Sequence, residues 1–451
     1  MKIFQILARP FVSFVERYYP DAFIFVIVLS LITFLAALFL TDSTVTSTLL
    51  AWGNGLPMLL KFTAQITIIM VGAHALAHTN PVQKFLTRIG QLPNSANQAY
   101  SLVAFSSGIA SLCAWSFGLV IGAIVARSVA SECAKKSFKI HYPLLVASAY
   151  SGFVIWHMGY SSSAALFVAT PGHLLEDRVG IIPVTETILS STNIVMALMA
   201  LAIITIICPL MRPKDKDIIE FTPNTINKID NSALDNQSEL TLIEKFENHR
   251  ALNIFLGFAL VSYIVVTYTQ NGFSLNLNIV SWTFLAFGLI LAASPMHFIK
   301  LINNAAATVG PIILQYPFYS GIMGMMATTG LMKVITDWII SISTPETLGF
   351  FAFLSGGLVN MFIPSGGGQW AVQGPIMIEA ALSLNVNPSV VVLGVAYGDQ
   401  WSNMIQPFWT IPILAIAGLH MRQILGYTFV IFIMTGILFG SGMLYMGSGN
   451  I

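Results

Sequence analysis

The segment Pro364-Ser365-Gly366-Gly367-Gly368-Gln369-Trp370 is the least ordinary stretch of the chain. Three adjacent glycines lower helix stability, so their presence in an apolar region needs a reason. Without Cβ atoms the backbone can turn sharply and offer its N–H groups to a ligand. A helix starting near Gln369 would aim free N–H groups and a partial positive charge at that ligand, which suits an anion. Ser365, Gln369 and Gln373 add side-chain donors. Close helix packing through small residues is the alternative, although packing alone does not call for Ser and Gln.

A second polar run, GVAYGDQWSNMIQPFWTIP, occupies residues 394–412. Gly398, Pro407 and Pro412 are expected to break its helix, and Asp399, Gln400, Ser402, Asn403 and Gln406 are polar within an apolar context. An ionised carboxylate at membrane depth costs at least ~2.5 kcal/mol by insertion scales unless it is hydrated or paired, so Asp399 is a functional candidate. It would take up a proton with the substrate or ligate Na⁺ beside Asn403. The bland alternative pairs it with Lys61. A third polar stretch, SSGIASLCAWSFG at 106–118, carries Ser111 and Ser116 around Trp115, and Asn360 precedes the glycine run. These Ser and Asn positions suit a substrate carboxylate or a coupling cation. His74 and His78 are spaced i, i+4 but lack the Glu of a metalloprotease motif. No GxxxxGK phosphate loop is present, and Cys113, Cys133 and Cys208 show neither disulfide nor metal-ligand spacing. No cofactor is expected beyond coupling H⁺ or Na⁺.

These residues must be held by membrane helices. Only 39 of 451 residues are charged, or 9%, where soluble domains carry roughly 25%. Six bases and eight acids of that total fall within 212–250. Several apolar runs reach the ~20 residues that cross a bilayer. A soluble enzyme or nucleic-acid binder is excluded, and an all-α polytopic membrane protein in a lipid bilayer is expected. The runs 97–127 and 349–382 are too long for one straight span and are interrupted by small and polar residues. Each reads as a re-entrant hairpin, tolerable only inside protein or beside a water-filled cavity. With residue 1 cytoplasmic, 17 of the 20 Lys and Arg fall on the cytoplasmic side, which sets the orientation. Nine crossings, two hairpins and an external C-terminus follow.

Residues 79–118 align without a gap on 328–367, matching Thr79, Lys84, Thr87, Ser106, Gly108, Ser116 and Gly118 with Thr328, Lys333, Thr336, Ser355, Gly357, Ser365 and Gly367. The matches fall on polar interruptions rather than on Leu and Ile. A first repeat over 1–211, a cytoplasmic polar linker over 212–250, and an extra span plus second repeat over 251–451 are expected. The extra span, 251–269, would invert the second half. Inverted repeats with broken helices are a carrier architecture with the site near the midplane.

PSGGGQWAVQGP at 364–375 together with GDQWSNMIQPFW at 398–409, and Pro20-Asp21 before the first span, resemble the bacterial short-chain fatty acid transporter family of the acetoacetate/butyrate type. The resemblance covers essentially the whole chain. Through its paired hairpins that family is similar to the larger superfamily of carboxylate carriers, whose studied members work as elevators. It implies uptake of short monocarboxylates across the bacterial inner membrane; cation coupling is expected beside it, catalysis is not, and a homodimer is left open. Carried over by position, the hairpin-tip residues are Ser365, Gly366, Gly367, Gly368 and Gln369, joined by Ser116. Asp399, Asn403 and Gln406 fall in the broken helix, with Asp399, Ser111 and Asn360 the coupling candidates. A carrier of another anion, such as a dicarboxylate, fits less well because the core lacks an Arg to meet a second carboxylate. A polytopic enzyme would need a nucleophile and base together, and Ser365 has no histidine near it in sequence.

Overall fold

Tight glycine-to-backbone contacts set the helix spacing around the two interrupted runs. The computed structural model describes residues 22–136, 138–221, 241–306, 309–361, 363–406, 409–410, 413–414 and 417–449. Pro20-Asp21, residues 222–240 of the linker, Pro407 and Pro412 lie outside these residues. Among the described residues the chain is helical and has no strand.

In the first part, α1 (Ala22–Leu40), α2 (Val45–Gly55), α3 (Leu60–Ala77) and the amphipathic α4 (Asn80–Gly90) precede the first hairpin. That hairpin is α5 (Ala96–Cys113) and α6 (Trp115–Lys135), separated only by Ala114 in extended conformation and packed against each other. Next come α7 (Tyr142–Ser151), a 3₁₀ stretch Gly152–Met158, α8 (Ser163–Val168) and α9 (Ser191–Leu210). The second part opens with α10 (Arg250–Asn271), which buries only Asn253 and Gly257 and packs on α11 (Leu277–Leu291). It continues with α12 (Pro295–Ala306), α13 (Gly310–Thr329) and α14 (Leu331–Ile342). The second hairpin is α15 (Leu348–Asn360) and α16 (Gly366–Ser383), followed by α17 (Pro388–Ser402), a 3₁₀ turn Asn403–Ile405 and α18 (Met421–Gly447). Both interrupted runs are therefore helix–break–helix units.

By length and composition six described helices could each cross a membrane, or seven if α13 and α14 are one span bent by 82°. Lipid-facing apolar surface is plentiful: Leu31, Ile32 and Phe39 on α1 and Phe255, Leu256 and Phe258 on α10 are exposed. Hydrophobic burial drives little helix association in lipid, so close packing must do it. On α2 and α13, a Cβ at Gly55 would lie 2.8 Å from the Ser320 carbonyl oxygen. On α15 and α17, one at Gly394 would lie 2.8 Å from the Gly349 carbonyl oxygen.

Gly398 departs from the sequence expectation. It does not break its helix, which runs unbroken from Pro388 to Ser402. A Cβ there would strike the Phe353 carbonyl oxygen and lie 2.5 Å from the Gly357 nitrogen, so this glycine lets two backbones touch. The break comes later, at Asn403–Gln406, where side-chain amides compete for backbone groups.

Candidate functional site

The start of α16 is built by Ser365. Its hydroxyl caps the helix by accepting from the Gly368 N–H at 3.4 Å, and it shares a 2.9 Å hydrogen bond with the Tyr316 hydroxyl from α13. Beside this cap lies a cavity of about 90 Å³. Ser365, Gly366 and Pro364 form one wall, and Tyr316, Gln315, Ile312 and Pro311 of α13 another. Ile66 and Met70 of α3 add aliphatic surface, while Trp115, Trp156 and Trp409 close the remainder with Ser163. The described lining contains no charged side chain. Such a pocket is mostly apolar with a few placed polar groups, the usual form of a small-molecule site.

The glycine run does more than free N–H groups. A Cβ at Gly366 would strike His157 and lie 2.7 Å from Trp156; one at Gly367 would lie 2.6 Å from Phe62 and 2.7 Å from the Tyr316 hydroxyl; one at Gly368 would lie 2.7 Å from Tyr319. Aromatic side chains thus press directly onto the first turn of α16, and only Ser365 and Gly366 of the run open to the cavity. Gln369 and Gln373, read from sequence as ligand donors, instead hold the hairpin together. The Gln369 amide donates to the Gly356 carbonyl oxygen at 2.8 Å and to Gln373 Oε1 at 3.0 Å, and Gln373 donates to Ser355 Oγ at 2.9 Å. Buried amides are placed where they satisfy buried partners.

Asn360, Asp399, Asn403 and Gln406 meet in one buried network. The Asn360 amide donates to the Asp399 carbonyl oxygen (2.9 Å), Ser402 Oγ (2.8 Å) and Asn403 Oδ1 (2.7 Å). Gln406 donates to the Asn360 carbonyl oxygen, Asn403 Nδ2 donates to Asp399 Oδ1 at 3.3 Å, and the Tyr150 hydroxyl donates to the Asn403 carbonyl oxygen at 2.6 Å. The Lys61 alternative does not occur: its ammonium donates to the Pro171 carbonyl oxygen at 3.3 Å. Asp399 Oδ2 instead faces His157 Nε2 at 3.9 Å. Ser111 and Ser116 are buried on opposite arms of the first tip, beside Gly118, and neither lines the cavity. No cluster of three His, Cys, Asp or Glu suited to a metal occurs among the described residues. Sequence reasoning missed Tyr316, Trp156 and Trp409 as walls and gave His157 no role, because nothing in their spacing distinguishes them from core.

Comparison with known proteins places this geometry in a family. A model described as "Short chain fatty acid transporter" matches residues 3–446. A protein of Escherichia coli K12 named "Putative short-chain fatty acid transporter" is 37% identical over 437 residues, 97% of this chain and 98% of its own. One of the same name from Haemophilus influenzae is 36% identical over 447 residues, 98% and 99% of the two chains. Among solved structures, the Alcanivorax borkumensis YdaH transporter, whose topology is described as unusual, superposes with a TM-score of 0.60 at 13% identity. That match covers 94% of this chain and 98% of the other, and speaks for the fold alone. The chain, with its paired hairpins and a capped glycine turn beside a small apolar cavity, belongs to the short-chain fatty acid transporter family.

Proposed function

We propose that this protein is a cation-coupled secondary carrier that takes short monocarboxylates such as butyrate and acetoacetate inward across the bacterial inner membrane. The observation that carries the reading is the cavity at the start of α16. It has a polar corner at Ser365 and Tyr316, a short aliphatic wall from Ile66, Met70 and Ile312, and no cationic side chain. A carboxylate fits the helix N-terminus and hydroxyl corner, and a short acyl tail fits the apolar wall. A dicarboxylate would bury a second charge without a partner. Purified protein in proteoliposomes is expected to take up labelled butyrate and acetoacetate saturably and to show counterflow, with succinate at least tenfold slower (about 1.4 kcal/mol). Succinate transport at the butyrate rate would overturn the monocarboxylate assignment.

The order of elements supports the inverted-repeat reading. An amphipathic helix, a hairpin, a broken helix and a long final helix recur as α4 to α9 and as α14 to α18. Sliding 79–118 onto 328–367 brings the start of α6 within two residues of the start of α16. We read the two series as inverted halves moving relative to one another, with 212–250 cytoplasmic and the C-terminus outside. Single cysteines replacing Ser232 and Ser448, in a chain lacking Cys113, Cys133 and Cys208, are then expected to react with an impermeant maleimide from opposite faces of the membrane. Reaction of both from one face would remove the inversion.

A further inference from the structure

His157 and Asp399 come from different halves of the chain and meet behind Gly366, which lines the cavity. Each is about 1% exposed. Their facing atoms, Nε2 and Oδ2, are 3.9 Å apart, and neither has a hydrogen-bond partner. Everything else on the two side chains is committed. His157 Nδ1 is 3.1 Å from Ser162 Oγ, the His157 backbone N–H donates to Gln400 Oε1 at 2.9 Å, and Asp399 Oδ1 accepts from Asn403. Two orphaned, buried groups pointing at each other across a gap too wide for a direct bond are costly.

Resting on the carrier reading above, we propose that the His157–Asp399 pair is the proton-binding site through which butyrate-class substrates are coupled to H⁺. A proton taken up on Asp399 Oδ2, facing His157 Nε2, takes the pair from a net charge of −1 to zero. It comes from solution with the substrate anion, and no other bond changes. Na⁺ is a poorer occupant, because hard cations want a shell of oxygens and here an imidazole nitrogen fills the facing position. The pair is also next to the substrate. Gly366 lines the cavity, and a Cβ on it would strike His157 Nε2. An ionised Asp399 would repel a carboxylate held there, so anion and proton favour each other's binding, and the coupling is reciprocal.

Among the described residues no other charge is placed to take over this role. On the elements packed against the pair, Arg127, Glu132 and Lys135 lie on the second half of α6, Arg422 in the first turn of α18, and Glu379 near the end of α16 with Arg178 as its partner. The other titratable groups nearby are engaged: Tyr150 donates to Asn403, Tyr397 to Asn193 Oδ1, Tyr316 bonds Ser365, Tyr100 accepts from His141, and Cys208 lies against Ser151. Cys113, at the end of α5, is exposed.

The test is butyrate binding to the purified full-length protein in detergent, in weakly buffered solution with a pH indicator. Wild type is expected to take up about one proton per butyrate, and its Kd to rise about tenfold per pH unit above the pair's titration. Asp399→Asn should remove both the uptake and the pH slope. His157→Gln should displace the pH at which the slope sets in, since Asp399 Oδ2 loses the imidazole that faces it. The double variant should match Asp399→Asn alone, as expected for residues acting as one unit. Proton-free or Na⁺-dependent binding by wild type would overturn the proposal without any variant having to fold, and so would an unshifted slope in His157→Gln. Wild-type vesicles that lack saturable butyrate counterflow while micelles still show proton-linked binding would remove the carrier reading and leave the pair standing.

Discussion

Gly367→Val is expected to abolish measurable butyrate uptake in protein that still inserts and purifies as wild type. The added Cβ would lie 2.6 Å from Phe62 and 2.7 Å from the Tyr316 hydroxyl, and the two methyls beyond it have nowhere to go. Phe62 is buried and wedged between Phe167 and Tyr316, with ring centroids at 5.0 and 5.9 Å, so it cannot swing aside. The start of α16 must then back away from α3 and α13. That parts Ser365 from Tyr316 and opens the polar corner of the cavity. Overpacking of this kind costs about 1–3 kcal/mol, enough to lower substrate affinity roughly tenfold to a hundredfold. Gly53→Val, on an exposed face of α2 with nothing within 4 Å of the added carbon, serves as the control and should transport normally. Initial uptake rates, normalised to folded protein by size exclusion, decide the matter. A wild-type rate for the valine variant would mean that the first turn of α16 is not where substrate sits.

A larger effect on folding is expected at Gly398. Alanine there would set its methyl against the Phe353 carbonyl oxygen and the Gly357 nitrogen. Both are backbone atoms of α15, unable to turn away as a side chain would, so α15 and α17 would have to separate along their contact. The Asn360–Asp399–Asn403 network spans that contact and would come apart with it, leaving several buried polar groups unpaired at about 1–3 kcal/mol each. Gly398→Ala should therefore give little monodisperse protein and a thermal midpoint well below that of Gly53→Ala. A wild-type midpoint would show that the helices can part at no cost.

What could be read from sequence followed the chemistry of each residue type in lipid. Ser365 and the glycines stood out because polar and helix-weakening residues in an apolar run need a reason, and they do form the start of α16 beside the cavity. Asn360, Asp399, Asn403 and Gln406 were legible for the same reason and converge in one network. Gly398 was misread because a glycine that breaks a helix and one that admits a neighbouring backbone look alike in sequence. The amide partners of Gln369 and Gln373 were not legible, because a side chain's partner depends on what the opposite arm of the hairpin presents, here the Gly356 carbonyl oxygen and Ser355. The walls supplied by Ile66, Met70, Trp156 and Trp409 had no signal, since apolar residues are the background of a membrane chain. His157 is far from Asp399 in sequence, and only the meeting of the two halves brings their orphaned atoms together.

The bend after α13 ties the site to its surroundings. Gly330 takes a left-handed conformation (φ +83°), and α14 leaves α13 at 82°. Were α13 to stand across a bilayer, α14, turned by 82°, would lie nearly parallel to the membrane plane. Val334, Trp338 and Ile342 are exposed along it, together with the ion-paired Lys333 and Asp337. It also packs directly on α16. An amphipathic helix so placed sits at a level set by the lipids, which would reference the depth of the cap at Ser365 to the membrane surface as well as to the protein's own framework. In that setting the thickness of the host bilayer would bear on the cap: a thinner or thicker membrane would shift α14 and, through its packing on α16, the resting height of Ser365.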